Sequence, residues 1–281
     1  MVKFGPSGCC EKFLETHKSV EDMPEWLEEH GLNIFEYAFN KGILLSDEKA
    51  QYYGEIFKEK NIELTVHAPY FINFANPDDM MAEKSYGYII KSLEKMKLMG
   101  AKKLVFHPGS LTKQTREKAF GLVLERLKIL SKMLDDYGFN DFYVCPETMG
   151  KHGQIGTIEE VAQMCAIDKR YMPCIDFGHV NAFNQGNLKT KQDFINVFKT
   201  FEKYIGERYK NVHIHFSKIM YGEKGELKHL NYEEDNEYGP NFKPLAEAIK
   251  ELGINATIIL ESRGEQTNDA VLLKQIFETN I

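Results

Sequence analysis

Six residues of metal-binding or acid–base type recur at one kind of place in the 281-residue sequence. His67, His107, Glu147, Asp176, His213 and Glu261 each follow a short run of β-branched or aromatic residues. Imidazoles and carboxylates are the donors that hold Zn²⁺, Mn²⁺ or Fe²⁺, whereas Mg²⁺ and Ca²⁺ prefer oxygen throughout. Any one of them has a plainer use, since a histidine ending a strand is commonly hydrogen-bonded in a loop and a strand-end acid often caps the next helix. Three carboxylates gathered with three histidines are harder to dismiss, because buried carboxylates are costly unless paired or metal-bound. Six ligands exceed what one zinc accepts, so two or more ions are implied. Glu147, central in the series, is the natural bridge and the candidate catalytic carboxylate. His179 follows Asp176 by three residues in CIDFGHVNAF, and His229 lies in the later segment GELKHLNY, so these two could hold a third ion.

The elements that must position these residues are legible as alternating runs. Strands are predicted at 2–6, 33–39, 62–68, 103–107, 142–147, 172–176, 211–215 and 256–261. Between them, apolar residues fall at three- and four-residue steps over 84–99, 117–137 and 193–205, the period of an amphipathic helix. Gly31, Gly100, Gly138 and Gly253 stand where helices should stop. Eight strands alternating with helices predict a single α/β domain over 1–281, a (β/α)₈ TIM barrel with the six candidates converging on its carboxyl-terminal face. A doubly wound sheet is the rival, but GPSG after the first strand is not the GxGxxG phosphate fingerprint.

Composition narrows the rest. The chain is 43% hydrophobic and 27% charged, with a formal net charge of −7 and no basic footprint of the sort that marks most nucleic-acid binders. Five cysteines without CxxC spacing argue against a disulfide framework and for a reducing compartment. Cys9 and Cys10 read as small buried residues near the end of the first strand. MVKFGPSGCC has no apolar signal core and no run is long enough to span a membrane, so a cytoplasmic monomer is expected, with no membrane association and no protein partner implied.

VHAPYFIN (66–73), VFHPGS (105–110), the Glu147 strand end, CIDFGH (174–179), VHIHFSK (212–218) and LES (260–262) resemble, in order and spacing, the signature segments of the endonuclease IV family. That resemblance implies a three-zinc cluster. His67, His107 and Glu147 would hold one ion. Glu147, Asp176, His213 and Glu261 would hold the second, and His179 with His229 the third. Manganese or iron could replace zinc at one site. The implied activity is endodeoxyribonuclease cleavage of damaged duplex DNA on the 5′ side of abasic sites, through a metal-activated hydroxide, with Tyr70 at the DNA interface. The family's third zinc also takes an aspartate two residues before the loop histidine. Leu227 stands at that position here, with Glu226 beside it as a substitute. FNKGILL (39–45) and NYEEDNEYG (231–239) replace two of the family's loops. The rival activity is a divalent-metal sugar isomerase or epimerase of the xylose-isomerase-like barrels, which resemble this chain in the strand-five to strand-eight ligands and in a histidine at the position of His179, but do not require His67 and His107.

Overall fold

Strand-forming runs of Val, Ile, Leu and Phe give eight parallel strands. They are β1 (Lys3–Pro6), β2 (Ile34–Ala38), β3 (Glu63–His67), β4 (Lys103–Phe106), β5 (Tyr143–Pro146), β6 (Cys174–Asp176), β7 (His213–Phe216) and β8 (Thr257–Leu260). The computed structural model describes residues 2–40, 42–233 and 238–279. Lys41 of FNKGILL and residues 234–237 of NYEEDNEYG therefore lie outside the described residues.

Two four-stranded arcs, β2-β3-β4-β5 and β6-β7-β8-β1, make the wall. Both seams are closed by parallel bridges. Ser7 pairs with Glu36 at one, and Val144 with Tyr171 and Glu147 with Cys174 at the other. At the first seam the chains approach so closely that a Cβ on Gly5 would sit 1.8 Å from the carbonyl oxygen of Ile34, which leaves glycine as the residue that fits. The result is the predicted TIM barrel.

Helices wrap the outside, and their ends follow the local chemistry. Ser46, Asp78, Thr115 and Asn241 cap helix amino termini with their side chains, and Thr157 and Thr190 form full capping boxes. The apolar core lies between these helices and the strands. A second, small core of Val105, Cys145, Met172 and Cys174 fills the barrel interior. Above it the interior is polar, and Glu36, Glu147, Asp176, His213 and His215 are all fully buried there.

Strand seven starts later than its apolar pattern suggests, because residues Gly206–Asn211 wind into a 3₁₀ turn. His213 is consequently the first residue of β7, and His215 stands near its carboxyl end. After β7 the chain forms an antiparallel hairpin, Lys218–Gly222 with Gly225–Leu230. Its tip is stitched to the loop after β5, with Glu226 donating its backbone N–H to the Gly150 carbonyl at 2.9 Å. The approach there is so tight that a Cβ on Gly225 (φ +92°) would lie 2.1 Å from that same carbonyl. Among the described residues no helix is long and apolar enough to cross a membrane.

Candidate metal centre

The strand ends bring the candidates together at the mouth of the barrel. Glu147 is the hub. Its Oε2 lies 3.2 Å from His67 Nε2 and 3.1 Å from His107 Nε2, and its Oε1 lies 3.2 Å from His179 Nδ1 and 3.4 Å from His215 Nδ1. Four sets of donor atoms within mutual reach of one ion result, one of them, Cys174–His213–His215, fully buried and three at the mouth. The three at the mouth are His67–His107–Glu147, then Glu147–Asp176–His215–Glu261, then His179–Glu226–His229.

One expected member is elsewhere. His213 takes no part in the three groups at the mouth; it belongs to the buried group with Cys174 and His215, and its Nε2 is hydrogen-bonded to Glu36 at 2.9 Å, deeper in the barrel. Residues two apart on a strand share a face, so both histidines of VHIHFSK point inward, and the later start of β7 puts the second at the mouth. The signal for His215 was the strand-end position that its counterparts hold: His67 and Asp176 close β3 and β6, and Glu147 and Glu261 follow β5 and β8 directly. Glu226 does stand beside the third pair, 3.4 Å from His179 Nε2 and 3.9 Å from His229 Nε2, while Leu227 is 62% exposed.

The local structure explains why each ring is aimed. His67 and His179 tie Nδ1 to the carbonyls of Ala68 and Thr148, and His229 ties Nδ1 to Ser217 Oγ at 2.9 Å. In all three the remaining nitrogen, Nε2, is left for the pocket, the arrangement that outer-shell partners impose on metal-ligating histidines. Asp176 serves two ends at once. Its Oδ1 accepts the His179 backbone N–H at 2.7 Å as the cap of the Phe177–Phe183 helix, so the plainer capping use and a ligand use fall on different oxygens. Its Oδ2, Glu147 Oε1 and His215 Nδ1 are buried with no hydrogen-bond partner. Three unpartnered polar atoms meeting at one point are what a cation would satisfy, and this donor set of imidazole and carboxylate suits zinc.

Without a cation the charges redistribute among the side chains. Burial pushes the Glu147 carboxyl up, but His107 and His215 beside it more than offset this and hold it well below the usual carboxylate range. His67, whose burial favours the neutral ring, is nonetheless raised to about 9 by Glu147, and His179 to about 10, chiefly by Asp176 and Glu147. Glu261 is held at about 2 against its burial, mainly by His215. Asp176 goes the other way, because burial and the neighbouring carboxylates outweigh His179. Such mutually perturbed groups in one cleft mark a functional site.

The pocket above has a volume of about 260 Å³ and is rimmed by Asn40, Tyr70, Lys151 and Gln154. Tyr70 is 51% exposed, with its ring 4.4 Å from that of Phe71 between centroids. Its loop is held from beneath by buried Arg126, which donates to the carbonyls of Phe74 and Asn76 and pairs with Asp79. The Cys9 thiol, outside the pocket, is raised to about 11 by burial and the adjacent Cys10, which disfavours the reactive thiolate.

A strand-end cluster of this composition, with several groups that could hold a metal ion, lies on the face where barrel enzymes place their active sites. Residues 24–277 match the family described as xylose isomerase-like TIM barrel, and the chain belongs to that family. An uncharacterized protein of Methanocaldococcus jannaschii is 31% identical over 281 residues, covering 99% of this chain and 97% of that one. A probable endonuclease 4 of Staphylococcus carnosus is 33% identical over 176 residues, 60% of this chain and 57% of its own length, so the match spans little more than half of that relative. Among solved structures, endonuclease IV from Thermus thermophilus superposes with a TM-score of 0.65 at 19% identity, covering 99% of this chain and 98% of that one. A D-tagatose 3-epimerase-like protein superposes with a TM-score of 0.70 at 22% identity, covering 98% and 96%. The two structural likenesses speak for the fold alone.

Proposed function

We propose that this chain is a zinc-dependent phosphodiester hydrolase acting on nucleic acid, with duplex DNA carrying an abasic site as the substrate to test. One observation carries the reading. Three donor groups share one pocket, and two of them share Glu147. A sugar isomerase or epimerase needs only the Glu147–Asp176–His215–Glu261 group, and would leave His67, His107, His229 and Glu226 without a task. The endonuclease 4 relatives support the same choice.

When bound, zinc supplies Lewis acidity: it makes water acidic enough to attack near neutral pH and offsets charge on the phosphoryl oxygens of an in-line displacement. The protein's own groups do the rest. His67, His107 and Glu147 would hold one ion, Glu147, Asp176, His215 and Glu261 a second, and His179, His229 and Glu226 a third. Three divalent ions would bring six positive charges against the four carboxylates of these groups. An acidic chain would thereby present a locally cationic pocket to phosphate. Lys151 on the rim adds a further cation, and the exposed ring of Tyr70 offers a face for a base or sugar. The whole site is carried by the one barrel, so a single domain working as a monomer suffices.

The purified protein is expected to contain two or three zinc ions per chain and to nick abasic duplex DNA. His107→Ala should lose the nicking while its circular dichroism spectrum stays that of the wild type, since His107 is partly exposed at the rim and takes no part in the barrel's interior packing. A wild type that is metal-loaded, inert on abasic DNA and able to interconvert a ketose with its epimer would overturn the proposal in favour of an isomerase.

A further inference from the structure

Glu36, on β2, is an acid in an otherwise apolar strand (IFEYA), and it is fully buried in the barrel interior beneath the candidate metal centre. A carboxylate so placed is costly unless its oxygens are occupied by donors. Here they are. Oε2 accepts from Thr65 Oγ1 at 3.1 Å and from His213 Nε2 at 2.9 Å. Oε1 accepts from Ser7 Oγ at 3.5 Å and is in ion-pair contact with His215 Nε2 at 2.9 Å, outside hydrogen-bond geometry. The Glu36 carboxylate is thus the near neighbour of the His215 ring on its Nε2 side. On its other side Nδ1 faces Glu147 Oε1 at the longer distance of 3.4 Å and Glu261 Oε1 at 3.5 Å.

We propose that Glu36 is a positioning residue for the metal centre: its carboxylate holds the Nε2 side of His215, so that Nδ1 is aimed at the group formed with Glu147, Asp176 and Glu261. Thr65 and His213 fix that carboxylate in turn. The inference rests on the reading of this group as a metal site. A carboxylate on the far nitrogen of a ligating imidazole sets its tautomer, locks the ring and raises its basicity toward the metal. This gives His213 a purpose as well. It does not ligate the centre but clamps the clamp, which accounts for two histidines on the same face of one short strand. Glutamine at position 36 would keep the volume and lose the charge.

The test compares zinc affinity, by competition with a chelator, and thermal unfolding of the zinc-loaded and zinc-free forms, for the wild type, Glu36→Gln and Tyr171→Phe. The Tyr171 hydroxyl donates to the Leu127 carbonyl at 2.6 Å outside the barrel wall, so its loss reports simple destabilisation. Glu36→Gln is expected to weaken zinc binding by about 10- to 100-fold, the range typical of outer-shell changes. The rise in melting temperature that zinc confers should shrink with it. Tyr171→Phe should lower both melting temperatures alike and leave the affinity within about threefold of wild type, well short of that outer-shell effect. Should Glu36→Gln fold poorly, Glu36→Asp, which keeps the charge one methylene short, is expected to lose affinity to a smaller degree. Wild-type zinc affinity in both position-36 variants would overturn the proposal, whatever their stability. So would a thiolate-to-metal charge-transfer band in the cobalt-loaded wild type, which would place the ion between Cys174, His213 and His215 instead. A wild type that binds no zinc would overturn the metal reading itself, a distinct result.

Discussion

Glu147→Gln is expected to strip the centre of metal and abolish hydrolysis, with a loss exceeding the roughly 10- to 100-fold that outer-shell changes cost. No other side chain is placed to do as much. Each of its oxygens approaches two histidines, and among the groups at the mouth of the barrel it is the one side chain shared by two. An amide cannot bridge two cations as a carboxylate does, and its NH₂ would face the imidazole nitrogens with a donor where an acceptor stood. The barrel should nonetheless survive the change. Glutamine fills the same volume, and the histidines that the carboxylate keeps protonated can shed their protons rather than remain as buried unpaired charges. Elemental analysis of metal per chain, alongside nicking of abasic DNA, checks the result. A Glu147→Gln variant that keeps both the wild-type metal content and the wild-type rate would remove the basis for a shared-carboxylate centre.

The barrel was legible because each strand is a short apolar run and the long helices carry a clear 3.6-residue period, so fold and strand-end convergence follow from pattern alone. The eight predicted strands coincide with the observed ones to within a residue or two at most ends. Position 213 shows the limit of that reading. A slip of two residues preserves the face a side chain occupies but changes its height in the barrel, and here two histidines sit two apart on one face. Only the 3₁₀ turn at Gly206–Asn211, which propensity does not announce, decides which of them reaches the mouth. Glu36 was invisible for a different reason. A lone acid in a strand has no spacing signature, and its meaning depends on three partners from β3 and β7 that the closed wall brings to it. Glu226 lay between these cases: its neighbourhood to His229 was plain, but its reach to His179 needed the hairpin to be stitched onto Gly150.

Metal-free protein is expected to be most stable at about pH 6.5 and to weaken on either side, whereas zinc-loaded protein should gain on it steadily as pH rises. On the acid side, burial lowers His213 to about 4, so its protonation costs stability as pH falls. The sign follows from the direction of each shift. His67 and His179 are raised in the folded chain, to about 9 and about 10, so the stability they contribute is complete below their ordinary value of 6.5 and is lost as pH climbs through the folded values. For His67 alone that loss is on the order of 3 kcal/mol, each tenfold change in proton affinity being about 1.4 kcal/mol. Glu147 and Glu261 are lowered, so their contribution is present above the ordinary carboxylate value and is lost as pH falls toward about 2. Zinc competes for the same nitrogens and must displace their protons, so its binding gains over the pH range in which the proton-held cluster fails. Calorimetric melting at pH 6, 7.5 and 9, with chelator or with zinc, should show the zinc-dependent increment growing at each step. Titration of zinc at pH 7.5 in two buffers of different ionisation enthalpy should likewise show protons released. An increment that stays level from pH 6 to pH 9, with no protons released, would mean that the histidines are already neutral, and that the carboxylates at the mouth of the barrel do not hold the cluster together in the absence of metal.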